Sequence, residues 1–334
     1  MSQETPLNHP YRGTKAQACA NIALVKYWGK RNSELNLPAA GSLSLTLDKL
    51  RTTTSVYFDS TLNDDEFFLD DDTSTTKRLS PWLDIIRSRA GINSRARVVS
   101  NNAFPTSSGL ASSASAFAAL AVAASHAAGL QLSDSELSCL ARRGSGSAAR
   151  SIFPGLVEMH SGTLADGSDS LATAISGADD WDICMVIAIV GGGIKKSISS
   201  RQAMDHCSAT SPLYQAWIDS VPPDIKSAKE AIEQRDLEKL GAVTEGSAMA
   251  MHAAALASRP AIRYWQPATL ACLNRVSELQ EQGISAYPTM DAGPHVKVLT
   301  SVSDSRRVAD AMSELSEVSE VIISASGPGA SLIN

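Results

Sequence analysis

A mixed α+β fold is predicted by three features of the sequence. β-Branched, alternating runs such as Leu50–Asp59 (LRTTTSVYFD) dominate the first hundred residues, alanine-rich and amphipathic helical runs follow, and further strand-like pieces alternate with helices after residue 181. No repeat of fixed period is present. At 334 residues the chain suits one large domain or two medium ones.

Taken in order, residues 1–16 read as a flexible tail. Ala20–Tyr27 and Ser42–Asp48 read as strands, as do Leu50–Asp59 and Ala96–Ser100. The acidic stretch Asp64–Asp72 reads as a solvated turn. Leu110–Ala128 consists almost wholly of Ala, Ser, Leu, Val and Phe and is stopped by Gly129, which predicts a helix small on every side and closely packed. Ser133 and Glu136 form a capping box that starts a second helix ending at Gly144, and Ser145–Ile152 predicts a third. Asp182–Val190 is a buried strand broken by Gly191–Gly193. Asp224–Ser258 is long and helical, Pro267–Gln282 is a helix closed by Gly283, Val296–Thr300 is a strand, Asp304–Val318 a helix and Val321–Ser324 a last strand. The glycine break suggests a nucleotide-binding lobe over 17–192 and a second lobe over 193–334.

The net charge is −6, which opposes nucleic-acid binding, since that needs a basic surface. An anionic ligand must then be met by local cations and backbone groups. Five widely spaced cysteines without metal-ligand spacing fit a reducing, cytoplasmic compartment. The polar N-terminus does not read as a secretory signal, and no apolar run has the roughly 20 residues of a membrane span.

Four stretches carry candidate chemistry. Pro105–Ala114 (PTSSGLASSA) is a loop of tiny side chains opening a helix, where free backbone N–H groups and the helix dipole suit phosphate. It lacks the lysine of a Walker loop, and the same composition suits a turn before a tightly packed helix. In Arg142–Arg150, hydroxyls at Ser145 and Ser147 precede the guanidinium of Arg150 by about a turn, a set suited to phosphate or carboxylate. Asp291 stands in a Gly/Pro turn, as a general base or as a turn residue bonding its own backbone. Lys26-Tyr-Trp-Gly-Lys-Arg31 sets three cations beside two aromatics; Lys195, Lys196 and Arg201 form another cationic loop. The six histidines show no zinc spacing, and no nucleophile elbow is present.

Together Asn21–Arg31 (NIALVKYWGKR), Asn102–Ser113 (NAFPTSSGLASS), Arg143–Ser151 (RGSGSAARS) and Met290–Pro294 (MDAGP) resemble, in order and from about residue 17 to the end, the signature blocks of the diphosphomevalonate decarboxylase family within the GHMP kinase superfamily. The resemblance implies an N-terminal lobe like ribosomal protein S5 domain 2, a ferredoxin-like C-terminal lobe, a site in the cleft between them and a homodimer. It implies ATP-dependent decarboxylation of mevalonate 5-diphosphate through phosphorylation of its C3 hydroxyl, with Mg²⁺. By position, Asp291 would take or orient the hydroxyl proton, Lys26 would lie beside the transferring phosphoryl group, and Arg150 would grip the C1 carboxylate. Tyr27, Lys30, Asn36, Ser145, Ser147 and Arg201 would hold the substrate. Ser100, Asn102, Pro105, Ser108, Gly109, Leu110, Ser112 and Ser113 would bind ATP, with Ser113 also on the metal. The chain departs from the family pattern at Ala20, Ala40-Gly41, Pro154, Gln202-Ala203 and His295. Neighbouring activities implied by the same resemblance are decarboxylation of mevalonate 5-phosphate and a mevalonate 3-kinase; a nucleotide-binding regulator without catalysis is a further class, disfavoured because Asp291 and the serine loop are present.

Overall fold

The structure, a computed structural model, describes residues 13–70, 72–74, 76–104, 112–190 and 198–333. The chain begins with β1 (Thr14–Val25), the short pair β2 (Lys30–Asn32) and β3 (Leu37–Pro38), and the long β4 (Ser42–Asp59). There follow β5 (Glu66–Leu69), β6 (Asp72–Thr73), α1 (Leu79–Ala90), β7 (Arg95–Asn102), α2 (Ser112–Ala127) and α3 (Asp134–Gly144). A 3₁₀ segment, Gly146–Ile152, leads to β8 (Leu156–Met159), β9 (Ala172–Ser176) and β10 (Ile183–Val190). The remainder is α4 (Ser200–Thr210), α5 (Tyr214–Gln234), α6 (Leu237–Leu256), α7 (Pro267–Glu281), β11 (Ala286–Met290), β12 (Val296–Ser301), α8 (Ser305–Ser313), β13 (Val318–Ala325) and β14 (Ser331–Ile333).

Two sheets organise these elements. The larger runs β14-β1-β4-β7-β5-β6, with β8 on the first half of β4 and β9 beyond it; the smaller is antiparallel in the order β11-β12-β10-β13. The mixed α+β class is therefore as expected. The alanines of α2 explain how it lies so close to β1 and β4: Ala118, Ala119, Ala121, Ala123 and Ala124 are fully buried and carry too little bulk to hold the backbones apart. One apolar core joins β1 and β4 to β10, α5 and α6, so the two sheets share an interior rather than meeting at a wet seam. Two further cores place α1, α2 and α3 against the large sheet and α7 and α8 against the small one.

Several elements differ from the sequence expectation for identifiable reasons. Within the acidic turn, Glu66–Leu69 is a strand parallel to β7, because Phe67 and Phe68 find a sheet edge and Asp65 is neutralised by Arg87. Leu79–Ala90 is a helix the pattern hid, closed by Gly91 at φ 66°, a conformation glycine adopts without strain. Ser145–Ile152 is 3₁₀ rather than α. The run 224–258 is two helices, broken at Arg235 (φ 53°), after which Asp236 caps α6 by accepting from Lys239 N at 2.9 Å. The helix begun near Asp304 stops at Ser313 and gives way to β13. As a strand, β10 pairs only with β12 and β13 among the described residues.

Candidate active site

Three segments from distant parts of the chain meet around one carboxylate. Asp291 follows β11 in a tight turn in which Gly293 N donates to Asp291 O at 2.7 Å. The turn is fixed at its far end: Val190 N donates to His295 Nδ1 at 3.1 Å, and Thr269 Oγ1 donates to Pro294 O at 2.7 Å. His295, a departure from the family pattern, thus anchors the turn to β10.

Lys26 leaves the end of β1, where its N–H donates to Ser247 Oγ of α6, and its Nζ reaches Asp291 Oδ1 at 2.7 Å. Lys297, one residue into β12, brings a second ammonium to 3.1 Å from Oδ2, close enough for an ion pair but outside hydrogen-bond geometry. Both lysine side chains are 1% exposed, whereas that of Asp291 is 26% exposed, so the carboxylate is the group that faces the opening. Burial tends to raise the pKa of Asp291, but Lys26 and then Lys297 outweigh it and hold the carboxyl well below the usual range. Burial pulls Lys26 down to about 8 despite its partner. Behind them His252 of α6 is buried among Tyr264 and Trp265, and burial lowers it to about 4, so it is neutral.

Arg150 forms another wall, within electrostatic reach of Asp291 and Lys26. Its Nε donates to Asn21 Oδ1 at 3.2 Å and Ser44 Oγ at 3.0 Å, and its Nη1 to Ser42 Oγ at 2.6 Å. These are neutral partners, so the guanidinium is held rigidly without being neutralised; burial lowers it to about 10. It sits 5.9 Å from the Tyr27 ring centroid, a cation–π distance. Tyr27 in turn lies against Gly146, where any Cβ would collide with its hydroxyl. Glycine is thereby required between Ser145 and Ser147, whose hydroxyls are 3.2 Å apart. Ser145 also lies 3.2 Å from Ser113, on the first turn of α2.

A further cationic group adjoins this wall. Lys30 Nζ donates to Asn36 Oδ1 at 2.6 Å, and Arg201 Nη2 approaches the same oxygen at 3.4 Å. Asn36 is fixed by donating to Arg143 O at 2.7 Å and adopts φ 52°. Burial and then the neighbouring Arg201 lower Lys30 to about 8, with Arg78 contributing. Cations gathered against their own repulsion mark a place for an anion. Arg201 is presented by α4, whose capping box is Ser199 with Gln202, so the departure at Gln202 closes a helix start.

Ser100 and Asn102 stand apart from the carboxylate. Ser100 Oγ is 2.8 Å from Thr54 Oγ1, and Asn102 Oδ1 accepts from Thr52 Oγ1 at 2.7 Å. Ser100 lines a cavity of about 200 Å³ with Thr54, Arg78, Leu79, Val98 and Phe117. Its mostly apolar walls and arginine rim suit a flat heterocycle. A larger cavity of about 460 Å³, lined by residues including Trp181, Lys229 and Arg235, shares no residue with any of these groups. Pro105, Ser108, Gly109 and Leu110, with Lys195 and Lys196, lie outside the described residues. Sequence reasoning missed Asn21, Arg78, Ser247, His252 and Lys297; only Lys297 carried a signal, a lone charge inside an apolar strand.

The chain matches two family models: the diphosphomevalonate decarboxylase-like N-terminal domain over residues 18–172 and the mevalonate 5-diphosphate decarboxylase C-terminal domain over residues 185–328. It is 38% identical to the diphosphomevalonate decarboxylase of Gibberella zeae over 299 residues, covering 83% of this chain and 78% of the relative, and 36% identical to that of Saccharomyces cerevisiae, covering 83% and 75%. Among solved structures it superposes on the mevalonate diphosphate decarboxylase of Staphylococcus aureus with a TM-score of 0.91 at 38% identity, covering 96% and 98% of the chains. A structure described as MDDEF in complex with MVAPP, AMPPCP and magnesium gives a TM-score of 0.90 at 40% identity, covering 96% and 99%.

Proposed function

Because the chain belongs to the diphosphomevalonate decarboxylase family, with its GHMP kinase-type fold, we propose that it converts mevalonate 5-diphosphate and ATP to isopentenyl diphosphate, ADP, phosphate and carbon dioxide. The observation that carries the proposal is the pairing of Lys26 and Asp291, 265 residues apart, at 2.7 Å and within electrostatic reach of Arg150.

A tertiary alcohol is a poor leaving group, and transfer of the γ-phosphoryl group to the C3 oxygen corrects that. When the C3–O bond breaks, the electrons of the C1–C2 bond form the C2=C3 double bond and carbon dioxide departs. The protein then has to position anions and stabilise the charge that develops. Arg150 holds the C1 carboxylate until it leaves. Lys30, Arg201, Tyr27, Ser145 and Ser147 hold the 5-diphosphate, with Asn36 locking the two cations. Lys26 faces the transferring phosphoryl group. Asp291 is kept so acidic by its two ammonium neighbours that it orients the hydroxyl and faces the developing positive charge at C3 more readily than it retains a proton.

The cavity beside Ser100 takes the adenine, with Asn102 near the nucleotide, and Ser112 and Ser113 at the start of α2 meet the phosphates, a binding role the family resemblance extends to Pro105, Ser108, Gly109 and Leu110. Among the described residues no cluster of three or more His, Cys, Asp or Glu could hold a metal. The exposed hydroxyl of Ser113 fits magnesium that arrives mainly on nucleotide oxygens and water; bound there, magnesium supplies neutralisation of phosphate charge. We place the lobe division in the segment before Ile183, because β10 pairs only in the smaller sheet. Five unpaired cysteines, four of them buried, support a cytoplasmic location, and no described helix is long and apolar enough to cross a membrane. Assembly as a homodimer follows the family resemblance.

The test is turnover with ATP, magnesium and, in parallel, mevalonate 5-diphosphate, mevalonate 5-phosphate or mevalonate. Equal amounts of ADP and carbon dioxide from the diphosphate, with far less from the others, are expected. ADP without carbon dioxide would leave a 3-kinase, and preference for the monophosphate would move the substrate assignment.

A further inference from the structure

Lysine is among the residue types least often fully buried, and when buried it is paired. Lys297 is fully buried in β12, between Ile187 of β10 and Thr289 of β11. Thr289 stands opposite Lys297 in the register, so both project from one face of the sheet, and Asp291 follows just past the end of β11. The hydroxyl of Thr289 makes no hydrogen bond among the described residues, and neither does Lys297 Nζ. Asp291 Oδ2, at 3.1 Å, is the one acidic atom in ion-pair contact with that ammonium among the described residues. A buried charge with one acidic neighbour and no hydrogen bond is costly to keep. An apolar side chain would pack there at less cost if only the fold were at stake.

We propose that Lys297 is a positioning residue for the reaction: it fixes Oδ2 of Asp291 from behind, so that Oδ1 and the Lys26 ammonium keep a single mutual geometry and the carboxylate meets the substrate ionised. The proposal rests on the reaction assigned above. Four charged or titratable side chains face Asp291: Lys26 after β1, Lys297 on β12, Arg150 from the 3₁₀ segment and His252 of α6. His252 is neutral near physiological pH, and Arg150 is bonded to Asn21, Ser42 and Ser44. Lys26 must also serve the phosphoryl group. Lys297 is therefore the cation left to act on Asp291 alone.

The sign of the effect follows from the competing influences on Asp291. Burial favours the protonated carboxyl and the two ammoniums oppose it, so removing one ammonium shifts its titration to higher pH. Lys297→Met and Lys297→Gln both remove the charge, and Lys297→Arg keeps it. In protein labelled with ¹³C at the aspartate carboxyl, the Asp291 resonance is identified by its absence from Asp291→Asn. Its titration midpoint is expected to rise in the Met and Gln variants and to stay near wild type in the Arg variant. The acidic limb of kcat should move with it, kcat should fall about tenfold to a hundredfold, and KM for both substrates should stay within about threefold. Combined with Asp291→Asn, Lys297→Met should add little further loss, because both act through one group.

An unmoved midpoint in the Met and Gln variants overturns the proposal, as does a fully additive loss in the double variant. A merely structural lysine would lower the melting temperature and leave midpoint and limb in place. A shifted midpoint in a protein whose wild type does not turn over mevalonate 5-diphosphate upholds the hold of Lys297 on Asp291 and overturns only the reaction.

Discussion

Asp65 and Asp291 are each paired with a buried cation, and they differ in how completely they are satisfied. Asp65, between β4 and β5, accepts from Arg87 Nη1 at 2.9 Å, Arg87 Nη2 at 3.1 Å and Ala96 N at 2.8 Å, and its side chain is 1% exposed. Asp291 has two cations rather than one, but its Oδ2 makes no hydrogen bond among the described residues and a quarter of its side chain faces the opening. Both are held below the ordinary carboxylate range although burial pushes each up. The fork of Arg87 spends its capacity on Asp65 and Asp84 and ties α1 to the sheet. The ammoniums at Asp291 leave a charged face available. A depressed carboxyl therefore does not mark a site by itself; incomplete satisfaction together with exposure does.

The largest expected effect separates the two on the reaction. Asp291→Asn keeps the shape and removes the charge, and kcat for carbon dioxide release should fall roughly 10³-fold or more. Next, Asp65→Asn removes the buried counter-charge of Arg87, leaving it only the exposed Asp84, and should cost up to about 3–5 kcal/mol in a urea titration. Its pH dependence sharpens the contrast. The folded pKa of Asp65 lies below its unfolded value of 3.8, so its contribution is complete above that value and is lost as pH falls toward the folded one. Asp65→Asn should lose that part of the acid slope of stability.

A smaller effect probes the cations. Lys26 sits near 8, so its charge is lost as pH rises through that value, and kcat should decline there. Lys26→Arg stays protonated and should move the decline in kcat to higher pH. Lys30→Arg should move only the part expressed in KM, since Lys30, also near 8, lies in the group assigned to the diphosphate. The smallest effect is expected at His295, which anchors the turn in the manner of Asp65 and does not face the substrate. Asparagine there can accept from Val190 N through its own Oδ1, so His295→Asn should change stability by about 1 kcal/mol or less and kcat by under about threefold.

Much of this was legible in the sequence because local chemistry is written in contiguous residues. The small-residue helix α2, the capping box at Ser133 and the buried run of β10 each follow from pattern alone. The blocks around Lys26, Ser145–Arg150 and Asp291 named residues that the fold brings to one place. What stayed hidden was tertiary in origin. The strand Glu66–Leu69 looks like solvated turn until Arg87, 22 residues on from Asp65, supplies the compensating charge. α1 shows only a modest stripe, with Trp82 held by donating to Leu140 O at 3.0 Å. His252 and Ser247 lie on an alanine-rich helix whose inward face cannot be told from its outward one without the sheet it covers. Lys297 was visible as an oddity in Val-Lys-Val-Leu-Thr, but its meaning depends on a partner six residues earlier across a Gly/Pro turn. Arg78 and Phe117, 5.7 Å apart at the cavity beside Ser100, meet from separate helices.

The most direct test exchanges the two readouts: the thermal midpoint of Asp291→Asn and the kcat per folded molecule of Asp65→Asn, each measured beside wild type. Asp291→Asn should fail to release carbon dioxide even while folded, with any fall in its thermal midpoint coming from the two buried ammoniums it leaves unpaired, whereas Asp65→Asn should melt early yet turn over mevalonate 5-diphosphate at nearly the wild-type rate below its transition. If folded Asp291→Asn releases carbon dioxide at close to the wild-type rate, or if Asp65→Asn is as inactive as Asp291→Asn while folded, the distinction drawn between these carboxylates is wrong.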